Sequence, residues 1–176
     1  DAAPAELGHY EFRFQSDTYN MNTALASALA AASRAELVEA LRQAGCEGQA
    51  VKEDPDGPLP DGVEPLLAEM DFVAQYDAVR RIHNAIAQQG ESPARLGGLV
   101  RGYANLAMLS RHHWSSAQAA FTARSLLYAE RMIALSGNST AAYQHRAYAR
   151  ALAGLHAAAL ADLARPSAKD GPAGEV

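Results

Sequence analysis

The residues that look most able to do chemistry are His112 and His113, followed by Trp114 and flanked by Ser110, Ser115 and Ser116. Such a cluster could ligate a metal or activate a hydroxyl nucleophile. Its spacing argues against both. Neighbours on a helix point about 100° apart, and no Cys, His, Asp or Glu follows at ligand spacing. The serines lack the strand–turn–helix setting of a nucleophile elbow, so the segment reads as a turn. His83, His145 and His156 stand alone in helical pattern and read as surface or packing residues. Cys46 is the sole cysteine, which excludes an intramolecular disulfide and every multi-cysteine metal motif.

Other candidates fare no better. Asp54-Pro55-Asp56-Gly57 imitates the start of a calcium loop, but Pro55 and the missing terminal Glu spoil the ligand series. Glu69 and Asp71 are paired carboxylates with nothing convergent around them. Gly97 and Gly98 lie inside a helical pattern, so they form no phosphate cradle; Gly98-x-x-x-Gly102 is better suited to close helix contact. The sequence therefore assigns no catalytic residue, no metal and no cofactor, and the chain reads as a non-enzyme.

The elements that position these residues are helical. Of 176 residues, 40 are alanine, the best helix former and a small one, which favours closely packed helices over a bulky core. No apolar run approaches ~18 residues, so no membrane span is expected and the chain reads as soluble. The net charge of −5 divides unevenly. Residues 1–92 hold 16 acidic and 6 basic side chains, and residues 93–176 hold 4 acidic and 9 basic ones. This split argues against nucleic-acid binding by the whole chain. It leaves the second half able to attract an acidic partner, or simply the first half.

Along the chain, residues 1–18 read as an extended N-terminal arm, in which Tyr10, Phe12 and Phe14 alternate with a strand's period of two. The opening Asp-Ala-Ala-Pro-Ala suits either removal of a leader, and with it a secreted or periplasmic location, or a domain taken from a longer chain. Residues 19–44 form a helical hairpin, whose second helix starts at the capping box Ser33–Glu36 and ends at Gly45. Residues 45–62, rich in Pro, Gly and acids, are a loop. Apolar spacing then predicts helices over about 64–89, from Pro93 to Leu109, from Trp114 to Leu135, from Ser139 or Thr140 to Leu152, and over about 155–165. Residues 166–176 read as a flexible tail.

The last four helices echo themselves. Arg101-Gly102-Tyr103-Ala104 and Arg146-Ala147-Tyr148-Ala149 match at three of four positions, 45 residues apart, each in the first helix of a pair. The second helices carry Ala117-x-x-x-Phe121 and Ala159-x-x-x-Leu163. With Tyr143, Ala147, Gly154, Ala159 and Leu163 in step, region 63–165 resembles the tetratricopeptide-repeat (TPR) family, in which small residues let paired helices approach closely. The chain departs from that pattern in two ways. Arg101 and Arg146 stand where leucine is usual, and extra residues near Arg111–His113 lengthen the first pair. Fewer than three repeats are visible, so either the N-terminal helices would serve as an atypical cap or the helix over Glu64–Gln89 would supply a divergent partner.

The resemblance implies an all-α fold of antiparallel helical hairpins stacked as a right-handed array, with the extended N-terminal arm. It implies a scaffold or adaptor whose first helices line a groove for a protein or peptide partner, with Arg101, Tyr103, Gln144, Arg146, Tyr148 and Arg150 facing that partner. The competing expectation is that the tyrosines pack inside and the arginines are merely solvated. Two other functions fit the composition: a helical assembly domain of a larger enzyme or envelope protein, and a small-molecule pocket enclosed by Trp114, Phe121 and Tyr128.

Overall fold

The computed structural model describes residues 28, 37–45, 51–113 and 116–165. The expected arm over 1–18, the capping box at Ser33–Glu36, Trp114 and the tail over 166–176 lie outside them. The described residues contain seven α-helices and no strand: α1 (Leu37–Gln43), α2 (Val63–Ala68), α3 (Phe72–Gln89), α4 (Pro93–Leu109), α5 (Ala117–Leu135), α6 (Thr140–Leu152) and α7 (His156–Leu163). None of them is long and apolar enough to cross a membrane.

The helix ends follow local chemistry. Gly45, past the end of α1, has φ of 77°, a left-handed conformation that glycine adopts without a Cβ clash. Ser92 caps α4 by accepting from the Arg95 N–H at 3.1 Å, with Pro93 in the first turn. Ser139 caps α6 in the same way through the Ala142 N–H. Gly90, which ends α3, is fixed twice over: its φ is 86°, and a Cβ there would meet the Lys52 carbonyl oxygen at 2.0 Å.

The single helix expected over 64–89 is two helices. Asp71 is extended and accepts from the Val73 N–H at 2.8 Å, capping a new helix one residue after Met70. Just before it, Glu69 leaves helical geometry. Apolar spacing continues across the break because α2 and α3 both bury their apolar faces against α4, so periodicity alone cannot register the interruption.

Helix α4 is the centre of the molecule. It packs against α2, α3, α5 and α6, and residues 95–100 and 102–107 are buried. It contributes Leu99, Tyr103 and Leu106 to a cluster with Val63, Leu67, Val79 and Ile82. On its other sides, Val100 and Ala104 meet Leu126, Ala129 and Ala149, and Leu96 meets Met132, Ile133 and Ala142. Each fully buried leucine or isoleucine contributes about 1.5–3 kcal/mol. A helix surrounded in this way needs small residues where neighbours come closest. A Cβ on Gly98 would lie 2.9 Å from Ile82 Cδ1, one on Gly102 would lie 2.6 Å from Val79 Cγ2, and one on Gly97 would lie 2.8 Å from His145 Nε2. Gly98-x-x-x-Gly102 is thus the close-contact stripe that its spacing suggests, directed at α3.

The packing has a repeating order. Helix α4 touches both α2 and α3, and α6 touches both α4 and α5. Helix α7 touches α6 alone among the described helices.

Residues 51–62 are turns and irregular backbone, held down by an arginine that the sequence reading passed over. Buried Arg95 donates from Nε to the Pro58 carbonyl at 3.2 Å and from NH1 to the Gly90 carbonyl at 2.9 Å, and it lies 3.4 Å from the Asp54 carboxylate. The Asp54 N–H donates to the Glu91 carbonyl at 2.9 Å, and the Glu91 carboxylate pairs with Arg131 of α5.

Candidate functional site

The six residues expected to face a partner divide by depth. Arg101 is half-buried on α4 and pairs with Glu64 of α2 at 2.8 Å. Gln144 and Tyr148 are exposed on α6. Tyr103, Arg146 and Arg150 are buried.

Arg146 and Arg150 belong to an internal ion cluster. Arg146 grips Asp162 of α7 with two bonds, from Nε at 2.9 Å and NH2 at 2.7 Å, and reaches Glu130 of α5 with NH1 at 2.8 Å. Arg150 donates to the same Asp162 carboxylate at 2.6 Å. Burial acts to lower the pKa of Arg146, but its hydrogen bonds to Asp162 and Glu130 outweigh that and hold it above the usual arginine value. The cluster joins α5, α6 and α7. Asp162 is one of four acids after position 92 and lies in helical phase with buried Ala159. An acid on the packed face of an arginine-rich segment is the signal that could have revealed the pairing.

Beside this cluster, α6 and α7 leave an open groove of about 410 Å³. Buried Ala147 and Ala159 line it together with Ala151, Tyr148, Leu160 and Leu163. Leu160 is 66% exposed and Leu163 58%. Gln144 and His156 complete a lining that is otherwise apolar but for the Tyr148 hydroxyl.

A second cavity, a cleft of about 370 Å³, lies between α3 and α5 over α4. Tyr103, only 3% exposed, forms its base and stacks on Tyr128 with the ring centroids 5.7 Å apart. His83 stands edge-on to both rings, and Phe121 tilts against Tyr103 at 6.1 Å. The Arg124 guanidinium lies over the Tyr103 ring, 5.4 Å from its centroid, and donates to its hydroxyl at 3.1 Å. The Tyr103 hydroxyl is also 2.9 Å from His83 Nε2. Arginine can only donate, so the phenol oxygen accepts from Arg124, while the direction of the His83 bond follows the imidazole tautomer. Burial, then the nearby Arg124 charge, lowers the pKa of His83, while burial raises that of Tyr128.

His112 and His113 are exposed, and His113 approaches the Phe72 ring at 6.5 Å. Among the described residues, no three His, Cys, Asp or Glu side chains gather closely enough to hold a metal ion. His145 packs on Gly97, and His156 borders the groove. No protein-family model matches the chain, and none of the curated proteins or solved structures compared with it matches significantly.

Proposed function

We propose that this chain is a TPR-like helical-repeat module that binds a partner protein by seating one of its helices in the groove between α6 and α7. The observation that carries this reading is the repeating order of packing. Helix α4 rests on α2 and α3, and α6 rests on α4 and α5, so the α6/α7 groove is the next seat of the same kind. Its alanines suit the close approach of a helix backbone, and exposed Leu160 and Leu163 offer apolar area for a partner to bury. The fitting partner is an amphipathic helix with an apolar stripe. Arg146 and Arg150, expected to face the partner, are committed to Asp162 and Glu130. Apolar burial rather than charge therefore supplies the affinity, with Tyr148 as the aromatic contact.

The test places a photo-crosslinking amino acid at Leu163 and compares adducts formed by the otherwise unchanged protein and by Leu160→Glu. One crosslinked helical segment of a single partner, lost in Leu160→Glu without a change in Tm, supports the reading. Adducts unaffected by Leu160→Glu, or none at all, defeat it.

A further inference from the structure

The cleft between α3 and α5 is separate from the α6/α7 groove, and its lining carries a distinct chemistry. Its walls present the rings of Tyr76, Phe121 and Tyr128 above the Tyr103 base. Two guanidiniums, Arg80 from α3 and Arg124 from α5, stand on opposite sides, and among the described residues no carboxylate lines the cavity. Arg80 is tied only loosely, to Asp77 at 3.4 Å with its side chain 70% exposed. Arg124 forms no ion pair with any carboxylate among the described residues. From these features we propose that the cleft binds a small aromatic anion, with its ring between Tyr76, Phe121 and Tyr128 and its acid group between Arg80 and Arg124.

Three considerations select this ligand class. Aromatic cages attract cations through their ring faces, but Arg124 already occupies the face of Tyr103, and two guanidiniums repel a further cation. An aliphatic acid would satisfy the charges but add no ring contact to the aromatic walls. The volume, about 370 Å³, is near the lower end of small-molecule pockets. It suits one ring system with a short acidic arm. For about eleven non-hydrogen atoms such a site supports a Kd on the order of a millimolar. Exposed Phe72 extends the aromatic lining outward, stacked on Tyr76 at 6.5 Å and edge-on to Phe121 at 6.3 Å.

The experiment titrates the protein with 3-phenylpropionate, 3-phenylpropylamine and hexanoate, observed by NMR of the His83 and Tyr103 rings. The expected result is saturable shifts with the aromatic acid and binding at least about tenfold weaker for the amine and for the aliphatic acid. Arg124→Gln should weaken the acid about tenfold, and Arg80→Gln several-fold, whereas Arg42→Gln, which removes the same charge from α1, should leave affinity unchanged. Because Arg124 also supports Tyr103, a poorly folded Arg124→Gln passes the decision to Arg80→Gln, whose exposed side chain can be changed without disturbing the core. Equal binding of acid and amine, no saturation with the acid, or full affinity in the Arg80 and Arg124 variants would overturn the assignment.

Discussion

The Asn105 side-chain amide donates to the Gln75 side-chain oxygen at 3.1 Å, and both residues are buried. The bond is the middle of a longer relay. On one side the Tyr148 hydroxyl of α6 donates to Asn105 Oδ1 at 2.6 Å. On the other, Gln75 Nε2 is shared among the carbonyls of Leu66, Leu67 and Glu69 at 3.1, 3.1 and 2.6 Å, which ties down the end of α2. Four helices are thus connected through two buried amides. Asn105→Leu removes the centre and leaves Gln75 Oε1 and the Tyr148 hydroxyl without their partner. A loss of about 1–3 kcal/mol is expected in urea denaturation, since the stranded Gln75 oxygen is buried and costs about that much, whereas exposed Tyr148 can turn its hydroxyl to water. In a double-mutant cycle with Gln75→Ala, a coupling of about 1 kcal/mol or more should appear. Additive effects would show that the relay is not energetically connected.

The Asp162 cluster makes a second prediction. The Asp162 side chain is 1% exposed, and its carboxylate serves both Arg146 and Arg150. Asp162→Ala leaves two buried guanidiniums short of their shared counterion and should cost about 3–5 kcal/mol. Replacing Arg146 and Arg150 together with Asp162 by apolar residues of similar volume should recover most of that loss, because the desolvation cost disappears with the charges. Chemical denaturation of the single and triple variants distinguishes an ion cluster that sets specificity from one that supplies net stability.

A third concerns pH. His83 and His145 both have pKa values below the ordinary histidine value. Burial is the first cause in each; Arg124 adds to it at His83, and Arg101 does so at His145 against an opposing Glu64. As pH falls through about 6.5, the unfolded chain takes up protons before the folded one does, so stability must fall with pH there. Tm should therefore be level above about pH 7 and should decline from about 6.5 towards 5, before the carboxylates titrate. His83→Gln with His145→Gln should flatten that decline. An unchanged slope in the double variant would place its source elsewhere.

The sequence reading located the helices after Pro93 because their signals are local. Ser92-Pro93 and Ser139 cap real helices, and Gly90, Gly137 and Gly154 all take positive φ where a helix stops. The break at Glu69–Asp71 escaped notice because it depends on Gln75 capturing carbonyls six to nine residues away, a relationship with no periodic trace. The candidate residues were legible by position but not by depth. Tyr103 and Tyr148 occupy matching places in the internal echo, yet one lies beneath His83, Phe121 and Arg124 and the other opens onto the groove. The motif repeats along the chain, but the neighbours change. Tyr103 lies between helices on both sides, whereas Tyr148 belongs to the last hairpin of the described residues. The aromatic cleft was partly visible in Phe121 and Tyr128, while the roles of His83, Arg80 and Arg124 required α3 and α5 to meet across α4.

The sharing of Asp162 has a consequence for the end of the array. With α6 as its only neighbour among the described helices, α7 would be expected to fray one turn at a time. One carboxylate, however, holds Arg146 and Arg150 together, and buried Ala159 lies one turn before it. Loss of α7 would take that anchor from both guanidiniums at once, so α7 would act as a latch rather than fray by turns. A docking helix would meet a complete seat or no seat, and its arrival would hold the latch shut.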